Sequence, residues 1–226
     1  MDEVGHLWWQ AIEGTLVLFF AGGVIALVLG FIVGAMRVSP VPIARAVGTV
    51  YVNWIRNTPL TLVMFFFAFC IPILLGQRIN AIMLATIALG VYTATYIAET
   101  IRSGVNTVPV GQAEAARALG LGFGQVMSLV ILPQAFRSVV PPMMSVLIAL
   151  LKNTTVAAGF SVLNLGSVTA YLSEHRTASA DNIFQAMVTG ENQLLTLLLI
   201  AVIFVVLVLL LAWLQRVLER KWKVER

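Results

Sequence analysis

From Leu16 to Met36 the chain runs for 21 residues without a charged side chain, and from Leu194 to Leu214 it does so again. At 1.5 Å per residue each run covers about 30 Å, the thickness of a bilayer's hydrocarbon core. A backbone in hydrocarbon must satisfy its own hydrogen bonds, and a helix does so within one segment. The two runs therefore predict an all-α integral membrane protein. Composition agrees: 60% of the 226 residues are hydrophobic and 11% are charged. A soluble domain carries about 25% charged residues.

Three weaker runs complete the set. Leu60 to Leu75 is short and takes in Asn57–Pro59, which predicts a second span at 57–75. A third begins at Ala81 and is set at 81–101. The fourth, 134–158, runs from Gln134 into Lys152–Thr155 and contains Pro141 and Pro142, expected to kink it or delay its start. With 14–36 and 194–214 the expectation is five transmembrane helices within 14–214. The piece from Val156 to Leu172 is cut by Gly159, Ser161, Asn164 and Gly166, and reads as a re-entrant or surface segment.

Charge placement excludes several classes and sets an orientation. The net charge is +4, but the basic residues lie between or after the spans and form no cluster with interleaved aromatics. That argues against a nucleic-acid partner. Arg37, Arg45, Arg56, Arg102, Arg117, Arg137 and five tail residues from Arg216 to Arg226 fall on one side. Only Arg78, Lys152 and Arg176 fall on the other. By the positive-inside rule, the stretch 1–13 is extracytoplasmic and the basic tail 215–226 is cytoplasmic. Asp2 and Glu3 replace the basic start of a signal peptide, so the first span is expected to stay. Cys70 is the only cysteine, and His6 and His175 lack ligand spacing, so no metal site is expected. Ala26, Gly30 and Gly34 share one face of the first span, read as packing within the protein rather than as a dimer face.

The connection 105–133 then falls in the cytoplasm. It reads as two short helices, the first capped by Asn106 or Thr107 with Pro109 in its first turn. Gly120 stops that helix in a left-handed cap, Gly122 and Gly124 turn the chain, and Gln125 to Leu132 forms the second, ended by Pro133. The first helix is too short to span a bilayer or to persist alone in water. Its small side chains suit a close-fitting partner.

"EAARALGLGFGQVMSLVILP", Glu114 to Pro133, resembles the EAA loop of permease subunits of binding-protein-dependent ABC importers. Glu114, Ala115, Ala116, Gly120, Leu132 and Pro133 match its register, with Val130 where the pattern has isoleucine. "RNTPL" at Arg56–Leu60, "YIAETIRSGV" at Tyr96–Val105 and "LLKNTTVA" at Leu150–Ala157 are similar to the polar amino-acid uptake branch, the histidine, glutamine, glutamate and arginine permeases. The resemblance implies a type I ABC importer permease fold in a bacterial cytoplasmic membrane. It also implies that Glu114, Ala115, Ala116 and Gly120, with Gly111 and Gln112, form a coupling helix seated on an ATPase dimer. A second permease subunit, in a heterodimer or homodimer, and an extracytoplasmic amino-acid-binding protein would complete the assembly. ATP and magnesium would sit on the ATPase, with no cofactor on this chain: no G-x-x-x-x-G-K-[ST] loop occurs in it.

Candidate path residues follow from position. Tyr92 and Thr93 fall near the middle of the third span, and Lys152, Asn153 and Thr154 in the outer part of the fourth. Lys152 either pairs with a substrate carboxylate or snorkels outward. Glu99 and Arg102, three apart at the inner end of the third span, are read as a gate or as a brace for the loop. The absence of an acid at midspan, together with Lys152, leans toward glutamate or glutamine. The competing reading is a stand-alone secondary amino-acid transporter or channel, which explains the spans but not the EAA register.

Overall fold

A computed structural model describes residues 2–174 and 183–221. His175, Arg176 and the tail residues 222–226, Trp222 among them, lie outside the described residues. Every regular element among the described residues is helical: α1 (Asp2–Val38), α2 (Pro42–Asn57), α3 (Leu60–Leu75), α4 (Ala81–Asn106), α5 (Val110–Ala118), α6 (Phe123–Phe160), α7 (Val168–Glu174), α8 (Ile183–Thr189) and α9 (Gln193–Lys221). Within these, α1, α4, α6 and α9 are long and apolar enough to cross a membrane. The α2–α3 pair, bent by 101°, passes the same test only when the two helices are taken together, and as one broken span it would bring the number to five.

The bend has a local cause. Pro59 disfavours helix at the residue before it, and Thr58 is extended (φ −89°, ψ 131°). Gly76 closes α3 at φ 63°, and the Asn80 side chain caps α4 by accepting from the Ile82 amide at 2.9 Å. Two of the prolines inside the spans follow wider turns. A π-helical turn at Phe66–Cys70 precedes Pro72, and another at Val126–Ile131 precedes Pro133. A proline lacks the N–H of an α turn and its ring crowds the carbonyl four residues back, and π turns accommodate such sites.

That accommodation corrects two expectations. Pro133 ends no helix, because Phe123–Phe160 is continuous through it, and Pro141 and Pro142 lie inside that helix without delaying its start. The helices also outrun the apolar windows read at 14–36, 81–101 and 134–158. The stretch 1–13 belongs to α1 from Asp2 onward.

The largest interface lies between α1 and α4. Its closeness depends on glycine: a methyl at Gly30 would stand 2.6 Å from Ile97, and one at Gly90 would stand 2.5 Å from Ile25. The Ala26, Gly30 and Gly34 face is therefore turned inward, against Ile97 and Ile101. Beyond α6, the chain from 161 folds back on the start of α1 rather than lying on the surface. Leu165, Val168 and Leu172 are buried with Trp8, Ala11 and Ile200. The Leu165 amide donates to Thr15 Oγ1 at 3.0 Å. Asn164, also buried, accepts from the Gly166 amide and donates to the Thr154 carbonyl, so this turn carries its own polar support.

Candidate functional site

α5 is held by one end and one residue. Ala116 is buried against the π turn that contains Val126, while Glu114, Ala115, Gly111 and Gln112 are exposed. Its C-terminus is a Schellman cap: the Leu121 amide donates to Ala116 O at 3.2 Å and the Gly120 amide to Arg117 O at 2.9 Å. Gly120 has φ 81°, the left-handed conformation its place required. The start differs from expectation. Pro109 is itself the N-cap, with no side-chain cap, and the Thr107 hydroxyl instead donates to Gly104 O at the end of α4 and lies 3.0 Å from Ser138 Oγ of α6. Gln134 of α6 donates to the Gln112 side chain, tying α5 to the span that follows it. Val110 and Leu119 remain largely exposed, so α5 presents apolar and small side chains beside one acid.

Above α5, four charged residues from three helices converge. Glu99 of α4 accepts from Arg37 of α1 and from Arg102 of its own helix, with Arg102 Nε at 3.1 Å. Arg56, at the end of α2, stands 3.7 Å from the same carboxylate. Arg37 is almost fully buried and its Nε has no partner. One carboxylate thus holds the lower ends of α1, α2 and α4 together.

Between α4 and α6 runs a trough made of two adjoining cavities, with mostly apolar walls to which Pro142, Val146, Ala149 and Leu150 contribute and into which polar groups are set. The upper, about 410 Å³, is lined by Tyr92, Thr93, Tyr96, Ser145 and Asn153 among others. The lower, about 250 Å³, is lined by Arg56, Tyr96, Glu99, Ser103, Thr107 and Ser138. Tyr96 belongs to both, and its hydroxyl lies 2.9 Å from that of Tyr92. The Thr93 hydroxyl is buried and unpaired. Polar groups thus recur along the trough from Asn153 through Tyr92 and Tyr96 to Ser103, Thr107 and Ser138.

A family profile described as the inner membrane component of binding-protein-dependent transport systems matches residues 26–224. This chain belongs to that family. The permease is 45% identical over 163 residues to the glutamate transport system permease protein GluC of Corynebacterium glutamicum, covering 67% of this chain and 70% of that protein. It is 34% identical to the arginine transport system permease protein ArtQ of Bacillus subtilis, covering 92% and 89%. Among solved structures, an amino acid ABC transporter crystallised with histidines superposes with a TM-score of 0.84 at 25% identity, over 98% of this chain and 96% of that one.

In this permease the trough joins Tyr92, Thr93 and Asn153. Thr154 is buried beside them, donating to Leu151 O at 2.7 Å, and lines neither cavity. Lys152 is exposed and lines neither. Glu99 and Arg102 pair directly, as their spacing suggested. Arg37 and Arg56 went unrecognised as their partners, since they lie far away in sequence. Tyr96, Ser103 and Thr107 were missed despite a visible signal: with Tyr92 and Glu99 they recur every three or four residues, one face of a helix.

Proposed function

We propose that this permease is the membrane subunit through which an ATP-driven importer moves a polar amino acid, with glutamate or glutamine the best fit. The trough carries the reading, because it sets hydroxyl and amide groups of α4 and α6 and the Arg56 guanidinium of α2 along one path that reaches Thr107, just ahead of α5. Support for the amino-acid class comes from the glutamate and arginine permeases among its relatives. An acidic or amide side chain suits a path with three arginines at one end and no acid above Glu99.

In this reading Glu114, Ala115, Ala116 and Gly120, with Gly111 and Gln112 beside them, seat on a separate ATPase dimer that binds ATP and magnesium. Closure of that dimer moves α5 and, through Gln112–Gln134 and the Ala116–Val126 contact, the whole of α6. Glu99 and Arg102 gate the lower end, while an extracytoplasmic binding protein delivers substrate at the other. A second permease subunit covers the open side of the trough. The N-terminus faces outward and α5 lies in the cytoplasm, so a Gly122→Cys variant made in Cys70→Ala should label only from the cytoplasmic side.

The direct test is uptake of labelled glutamate, glutamine and arginine into proteoliposomes holding the full assembly. ATP-dependent, saturable uptake of glutamate or glutamine is expected. Uptake by this chain alone, driven by an ion gradient, would replace this reading with that of a secondary transporter.

A further inference from the structure

The three arginines around Glu99 are not equivalent. Arg37 donates one hydrogen bond to Glu99 Oε2, and Arg102 donates two, from Nε and Nη2, to Oε1. Arg56 stands 3.7 Å from Oε2, beyond hydrogen-bond length, and its side chain is 44% exposed. Glu99 neutralises one of the three positive charges and leaves two. Arg56 is also the only one of the three arginines on the wall of the lower cavity, facing the hydroxyl-bearing Ser103, Thr107 and Ser138. A guanidinium offers five N–H donors in a planar fork matched to a carboxylate. Here the fork is loosely held, borders a cavity and carries a charge its neighbour does not neutralise.

We propose that Arg56 is a carboxylate-binding residue of the permease, holding a carboxylate of the substrate in the lower cavity as it leaves the upper one. Resting on the amino-acid reading above, it adds a second station to the path and assigns its anion contact. At this station Glu99 stays bound to Arg37 and Arg102, so the helices remain tied while Arg56 exchanges partners. The substrate's ammonium group meets the hydroxyl oxygens of the opposite wall. Lys152, exposed and outside both cavities, has no part in this contact.

Equilibrium binding of labelled glutamate and glutamine to the purified permease–ATPase complex, without nucleotide, tests this on wild type, Arg56→Gln and Arg56→Lys. Losing a hydrogen bond to a charged group should weaken binding to Arg56→Gln roughly ten- to a hundredfold. Arg56→Lys keeps the charge without the fork and should recover part of the loss. Equal loss for both amino acids places the α-carboxylate on Arg56; loss confined to glutamate places the side-chain carboxylate there. Unchanged affinity for both in Arg56→Gln overturns the inference while leaving the function intact. So does a lysine variant as weak as the glutamine one with a matching fall in thermal midpoint, which marks Arg56 as structural. A wild-type complex that binds no amino acid refutes the functional reading, and this inference with it.

Discussion

Gly104→Ala would put a methyl where α4 meets α6 at the floor of the trough. The new carbon would stand 2.1 Å from Val139 Cγ2, 3.3 Å from Ser138 Oγ and 3.4 Å from Ala135 O. Carbon atoms rest at about 3.5–4.0 Å, so the first contact is short by roughly 1.5 Å. Val139 is buried and β-branched, and a helix leaves such a side chain essentially one rotamer. It has nowhere to turn, and α4 and α6 must part. Overpacking of this kind costs about 1–3 kcal/mol, against which the better helix propensity of alanine returns about 1 kcal/mol. Val139→Ala alone loses about 1.6 kcal/mol of burial at about 0.8 kcal/mol per carbon. In the double variant the clashing atom is gone and the remaining contacts are only slightly tight. The two changes should therefore couple favourably, by about 0.5–3 kcal/mol. Thermal unfolding midpoints of the purified wild type, both single variants and the double variant complete the cycle. A double variant no more stable than the sum of its parts would refute this account of the α4–α6 contact and of the trough's width.

Glu99→Gln should lower the thermal midpoint far more than Arg102→Gln does. The first leaves the buried Arg37 without its carboxylate, at about 3 kcal/mol or more, while the second breaks a half-exposed pair for about 1 kcal/mol or less. Gly120→Val meets no neighbour within 4 Å, so its cost is backbone strain alone, about 1–3 kcal/mol at φ 81°. It should reduce ATPase co-purification, with Gly120→Asn milder. Asn153→Leu, on the upper cavity wall, should weaken uptake affinity about tenfold for one lost hydrogen bond. Lys152→Met, on neither wall, should leave uptake within about twofold, a null expectation by the same measure; the opposite ranking in uptake assays would return Lys152 to the path.

What the sequence disclosed divides by the range of the interaction. Four apolar helices, the glycine face of α1 and the left-handed Gly120 follow from local rules of burial, close approach and backbone sterics and are found in the structure, whereas the expected span at 57–75 is half of a bent helix pair. The continuity of α6 was misread because Pro133 was treated as a stop, and the start of α5 because Pro109 was placed in the first turn when it is the cap itself. A π turn ahead of Pro133 lets the helix pass through, and no residue type announces such a turn. The segment from 156 to 172 was read as re-entrant or surface because its glycines and Asn164 interrupt an apolar run. Its burial depends on α1, more than a hundred residues away, which accepts its backbone at Thr15. The Glu99 cluster was half legible: Arg102 lies on the same helix face, whereas Arg37 and Arg56 arrive through the packing of α1 and α2. The stripe from Tyr92 to Thr107 was fully present as a period, and only Tyr92 and Glu99 of it were taken up.

The most direct test of the central claim uses Glu114→Arg, which reverses the only acid on α5 and leaves both trough walls untouched. The variant and wild type are each co-expressed with the ATPase, purified, and assayed for retained ATPase and for ATP-driven amino-acid uptake in proteoliposomes. The account expects a variant that inserts normally, retains much less ATPase and loses uptake with it. Wild-type ATPase retention together with wild-type uptake would show that α5 is not the surface that receives the ATPase's motion.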